Sequence, residues 1–294
     1  MKIFITKILM FALLFICIDQ MLGFTTNRLL LKVKSGDNYS TNYGINSCKE
    51  DILIMGASEV LHGLVSKKIA DSMNMSCYNL GRDGLNIYFQ YAVLNEILKR
   101  YKPKIIVVSI NCLEESENAI NGLFPYSSDY KDIKELIYEI KPVEKYRLFI
   151  KSYCYNSLMI KILQGLVQNE PNTGGYKPLF TIGKNMKLSP EPYTIGISER
   201  TLAYFEKYLN LCQSAGCKVY VLETPKYQTT FNEQENKKIK KVINKYSANY
   251  ISFRNATTFI NHQELFKDKT HLNDSGAQIF TTLVIQNMKA QKNW

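Results

Sequence analysis

Residues 104–110 read Lys-Ile-Ile-Val-Val-Ser-Ile, with four β-branched side chains in a row and no polar alternate among them. Such a run suits a strand buried on both faces, the kind found in parallel sheets covered by helices. Short apolar runs also stand at 51–56 (Asp-Ile-Leu-Ile-Met-Gly), 76–80, 217–223 and 250–253. Helical patterns separate them, over about 59–73, 85–101, 198–215 and 232–245, and a closing helix starts near Leu272 with Asn273 or Asp274 as its cap. Five strands with crossover helices predict one three-layer α/β domain with a parallel sheet and right-handed connections.

In an open sheet of this kind ligands bind beyond the carboxyl ends of the strands. Three strand ends carry residues of chemical interest: Ser58 after the 51–56 run, Gly81 and Gly84 after 76–80, and Asn111 after 104–110. Ser58 lies in a strand-to-helix turn beside Gly56, where it can be a helix cap or a nucleophile. Near the C-terminus, Asp268-Lys269-Thr270-His271 puts a carboxylate three positions before one of only three histidines. The spacing lets the carboxylate hold one ring nitrogen while the other acts as a base; it also fits an ordinary loop-to-helix junction. His62, one helical turn after Ser58, lacks an acidic partner by spacing and reads as a helix-face residue, and His262 as structural or solvated. Three histidines so differently placed form no metal set, and no cofactor motif is present.

Residues 1–24 place Lys2 and Lys7 before an uncharged run from Ile8 to Ile18, followed by Asp19. No small-residue cleavage site follows, so the segment reads as an uncleaved signal anchor, a membrane partner that leaves the body extracytoplasmic. Arg28, Lys32 and Lys34 beyond it reduce that charge bias. Residues 25–50 read as a polar linker and 51–294 as the main domain. Within it, 112–197 breaks the strand–helix rhythm: amphipathic segments at about 132–138 and 143–167 lead to a loop with Pro171, Gly174, Gly175 and Pro178. We read it as an inserted helical cap over the strand ends. The seven cysteines show no C-x-x-C pair and suit buried free thiols. The net charge of +11 favours anionic partners, but the lysines are dispersed and no nucleic-acid motif appears, so nucleic acid is excluded as a partner.

The ordered set Gly56-Ala57-Ser58, Asn79-Leu80-Gly81-Arg82-Asp83-Gly84, Ser109-Ile110-Asn111-Cys112 and Asp268-x-x-His271 resembles the SGNH, or GDSL-type, hydrolase superfamily. The third block keeps Asn111 but lacks the family's flanking glycine and aspartate. The resemblance implies a flavodoxin-like α/β/α domain with Ser58 as nucleophile, His271 as base and Asp268 orienting it. It implies an oxyanion hole from the N–H groups of Ser58 and Gly84 with the Asn111 side chain. Membrane-anchored members imply an esterase or O-acyltransferase acting on O-acetyl groups of envelope or exported polysaccharide. That role leaves room for a membrane-bound acyl-transfer partner. Two alternatives stay open: a weak or inactive glycan-binding or assembly protein on this fold, and a lipid-directed esterase.

Overall fold

The computed structural model describes residues 1–169, 171–184, 186, 193–227 and 233–291. In chain order the first elements are α1 (Lys2–Leu30), α2 (Gly36–Asn46), β1 (Ile52–Met55), α3 (Ser58–Gly63), α4 (Ser66–Met73) and β2 (Cys77–Asn79). Next come α5 (Ile87–Leu98), β3 (Ile105–Ser109), α6 (Lys131–Ile140), α7 (Glu144–Arg147) and α8 (Met159–Val167). Last are α9 (Glu199–Ser214), β4 (Lys218–Glu223), α10 (Glu233–Lys245), β5 (Asn249–Ser252) and α11 (Asp274–Ala290).

The chain divides into two compact units, one of Met1–Tyr43 with Ile120–Glu170, the other of Gly44–Ala119 with Pro171–Trp294. The second holds the five predicted strands in one parallel sheet of order β2-β1-β3-β4-β5. That is the flavodoxin-like order, whose switch point lies between β1 and β3. Strands β1 and β3 are buried at every position, as their unbroken apolar runs require. On one face Ile52, Ile54, Ile105, Val107, Tyr220 and Leu222 belong to a core closed by Phe253, Phe259, Phe266 and Phe280. Phe253 meets Phe280 edge-to-face at 5.0 Å between centroids. On the other side α5 packs against α9, whose Tyr208 hydroxyl reaches the Met55 sulfur at 3.3 Å.

Three predicted stretches differ in form. The 59–73 pattern is two helices, because Leu64 and Val65 are extended and the Val65 N–H donates to Thr281 Oγ1 at 3.0 Å. The presumed linker is largely helical, with α1 running on to Leu30 and α2 following. The 143–167 pattern breaks into α7, a 3-10 turn at Lys151–Tyr155 and α8. Its cause lies in the first unit: the N–H groups of Lys151 and Ser152 donate to the Asp19 carboxylate, at 2.7 and 3.0 Å.

The expected 112–197 insert is divided too. Residues 120–169 group with α1, whereas 171–184 belong to the second unit. There Gly174 O accepts from Asn79 N at 2.8 Å, Lys177 N donates to Leu61 O at 3.1 Å, and Leu179 O accepts from Asp274 N at 2.7 Å. Part of the insert, 187–192, lies outside the described residues. All seven cysteines are free thiols, six of them buried.

Gly56 ends β1 at φ +141°, a conformation that L side chains rarely adopt. A Cβ there would also lie 3.0 Å from Val60 Cγ2 and 3.3 Å from Ser109 Cβ. We expect Gly56→Ala to lower unfolding free energy by about 1–3 kcal/mol, read from urea midpoints at unchanged slope.

Candidate active site

Ala57, and not Ser58, is the N-cap of α3, and its side chain makes no capping bond. The Ser58 hydroxyl is therefore not spent on the helix. It lies 2.7 Å from His271 Nε2. His271 comes from the loop before α11, whose cap is Asn273, with Oδ1 accepting from Gly276 N at 3.0 Å. Both Asp268 carboxylate oxygens stand 2.9 Å from His271 Nδ1. A carboxylate accepts only, so Nδ1 carries the proton and Nε2 presents its lone pair to Ser58.

Asp268 is held by its own turn. Its Oδ1 accepts from the N–H groups of Thr270 and His271, each at 2.9 Å, and from Thr270 Oγ1 at 3.1 Å. Partial burial pushes this carboxyl up, but the bonds from Thr270 and His271 outweigh burial and hold it below the usual carboxylate range. The D-x-x-H spacing thus does more than orient a ring. It folds the loop around the carboxylate.

Ser58 and His271 open on a pocket of about 310 Å³, also lined by His62, Asp83, Gly84, Leu179, Lys267 and Asp268. Gly84 sits at φ +66° with empty space where a Cβ would be. Among the described residues nothing accepts its N–H, nor that of Ser58 in the first turn of α3. Both are free to meet an oxyanion.

Asn111 is placed differently from expectation. It is 5% exposed and does not line this pocket. Its Oδ1 accepts from Ser109 Oγ at 3.0 Å and Thr224 Oγ1 at 3.2 Å, while Nδ2 donates to the Tyr193 hydroxyl at 3.4 Å. In this arrangement the amide nitrogen is engaged by Tyr193. Lys226, beyond β4, carries no signal in the sequence: its ammonium is buried over the Tyr193 ring at 4.3 Å, 3.8 Å from Glu59. Burial pulls it below the ordinary lysine value, with Glu59 opposing.

His62 is a correction. It has an acidic partner, contributed by the β2–α5 turn and not by its own helix. Nε2 lies 2.9 Å from Asp83 Oδ1 and Nδ1 lies 2.7 Å from the Lys177 carbonyl. Both nitrogens face acceptors, so satisfying both requires the doubly protonated ring. Burial pulls its pKa down, but the bonds to Asp83 and the Lys177 carbonyl outweigh it and raise the value. The His62 and His271 rings stand 6.1 Å apart, edge to face. Asp83 was legible only as the acid between two motif glycines; its pairing with His62 spans 21 residues.

Similar solved structures include SGNH and GDSL-type hydrolases. A lipase/acylhydrolase from Enterococcus faecalis is 12% identical, covering 82% of this chain and 95% of its own, with a TM-score of 0.42. A candidate SGNH hydrolase from Slackia heliotrinireducens is 10% identical, covering 81% and 97%, with a TM-score of 0.41. A GDSL-like lipase from Bacteroides thetaiotaomicron is 9% identical, covering 82% and 88%, with a TM-score of 0.38. No family model and no curated protein matches the chain. The chemistry of the site is therefore read from its own geometry.

With three histidines, the Cε1–H resonances can be assigned by single substitutions. We expect His62 to titrate above the ordinary histidine value of 6.5. A raised folded-state pKa contributes stability that is full below 6.5 and is lost as pH rises through the folded value. Asp83→Asn should lower the His62 midpoint and flatten that part of the stability profile, both read by NMR and urea titration.

Proposed function

We propose that this chain is an SGNH-type serine esterase or O-acyltransferase working on O-acyl, chiefly O-acetyl, groups of envelope or exported polysaccharide. The observation that carries the reading is the continuous hydrogen-bonded chain from Asp268 through His271 to Ser58, at 2.9 and 2.7 Å. A serine is a weak nucleophile at its free pKa and needs an adjacent base in this geometry. His271 Nε2 takes the Ser58 proton as Oγ attacks the ester carbonyl. The imidazolium so formed is stabilised by Asp268, which stays ionised.

The tetrahedral oxyanion falls to the N–H groups of Ser58 and Gly84, whose preorganisation avoids reorientation during the reaction. On collapse, the C–O bond to the leaving alcohol breaks and His271 returns its proton to that oxygen, leaving the acyl group on Ser58. Water or a sugar hydroxyl then repeats the steps in reverse, its proton passing to His271. Hydrolase and transferase share this acyl-enzyme and differ only in the acceptor. The polysaccharide substrate follows from the anchored relatives that the motifs resemble. The anchor is α1, long and apolar enough to cross a membrane, with Lys2 and Lys7 on the cytoplasmic side.

A serine-reactive fluorophosphonate should label the purified wild type and not Ser58→Ala. Against an O-acetylated glycan, Ser58→Ala and His271→Ala should each lose on the order of 10³-fold or more in turnover. Asp268→Asn should lose less, and the losses should be far from additive. A folded wild-type protein that takes no label and releases no acetate overturns the enzyme reading in favour of a binding protein on this fold.

A further inference from the structure

In the first unit, α1 is exposed from its start through Ile18 and uncharged from Ile8 to Ile18, and the body of the unit meets it at Asp19. Gln20 Nε2 donates to Phe149 O at 3.1 Å, and Asp19 accepts from Lys151 N, Ser152 N and Ser152 Oγ at 2.7, 3.0 and 2.6 Å. Gly23 makes the approach feasible, since a Cβ there would collide with that of Lys151. Further along, Thr26 meets Met159 at 3.7 Å.

A bilayer core of about 30 Å takes about 20 helical residues. Counted from Ile3, that length ends at Leu22; counted from Ile8, with Lys7 at the opposite interface, it ends at Asn27. On the first count the hydrocarbon edge falls beside Gly23, where residues 149–152 are fastened to the helix; on the second it falls about one helical turn further on, beside Thr26 and its contact Met159. Side chains there suit that depth. Tyr146, Phe149 and Ile150 are 78%, 65% and 46% exposed, and on α8 Ile160, Leu163 and Val167 are 70%, 54% and 82% exposed.

Charge points the same way. Residues 141–169 carry five basic residues and one acid, Glu144, which is 1% exposed and bound to Arg147 at 3.1 Å. Basic and large apolar side chains together mark a surface that lies in the headgroup region. Asp19 is tolerated at that level because four donors, with Gln20 at 3.2 Å, enclose it and leave it 6% exposed.

We propose that residues 144–167 form a membrane seat, a surface that sinks into the headgroup layer of an anionic bilayer beside the α1 span. The proposal rests on the anchoring role of α1 and is independent of the esterase chemistry. Of its possible occupants the bilayer is favoured, since the surface is continuous with the span and shares its depth.

The chain has one tryptophan, Trp294, so Trp294→Phe gives a dark background. In that background Phe149→Trp, Ile160→Trp and, as the span control, Phe11→Trp are each placed in the full chain. The proteins are reconstituted into nanodiscs of phosphatidylcholine and phosphatidylglycerol, with and without lipids brominated either near the headgroup or deep in the acyl chain. Bromolipid should quench the reporters at 149 and 160 and shield them from acrylamide, as lipid shields the one at 11. Quenching at 11 alone, with 149 and 160 open to acrylamide, overturns the seat and leaves the anchor standing. No quenching at 11 overturns the span and the seat with it.

Discussion

At Gly56 the chain must leave the C-terminal end of β1, turn sharply and begin a helix within two residues, in a conformation at φ +141°. Everything at the site depends on that turn. It lets Ala57 take the cap position, so that the Ser58 hydroxyl projects from the first turn of α3 with no duty to the backbone. The same turn lies at the switch point of the sheet, where the β1 and β3 crossovers leave in different directions and open a crevice. Across it stands His271, fixed by a loop wrapped around Asp268. Two local backbone devices, the turn at Gly56 and the loop around Asp268, bring three side chains into line.

Polar satisfaction is the second organising constraint. The α3 helix, the β2–α5 turn and the segment returning from the insert meet at His62, whose ring links Asp83 to the Lys177 carbonyl. Asn79 links β2 to the end of α3, donating to Val60 O at 2.7 Å and Leu64 O at 3.0 Å while accepting from Gly81 N at 2.9 Å. These bonds hold the turn that places Gly84 in the same pocket as Ser58. The glycine supplies the backbone freedom, and its neighbours supply the position.

What could be seen in the sequence was what is local. The strands were legible because a doubly buried strand must be apolar throughout, as β1 and β3 are. Asp268 and His271 were legible because their partnership is made within one turn. Pairings across the fold left no such trace: Asp83 with His62, and Tyr193 with Asn111, join segments that periodicity treats separately. The 143–167 stretch reads as continuous because its apolar spacing continues. It breaks because Asp19, more than 130 residues earlier, takes the N–H groups that would have carried a helix through Ser152.

The distance along the chain between Ser58 and His271 has a consequence for biogenesis. They are 213 residues apart, so at ordinary ribosomal speed the serine exists for roughly 10–40 s before its partner is made. Throughout that interval the growing polypeptide carries the Ser58 hydroxyl without the imidazole that lies 2.7 Å from it in the finished fold. A product ending ahead of Asp268 would keep the turn at Gly56 and all five strands, yet it would lack the histidine that the proposed mechanism requires. On that proposal, translation of the last thirty residues or so, and not of the strands, is what completes the site.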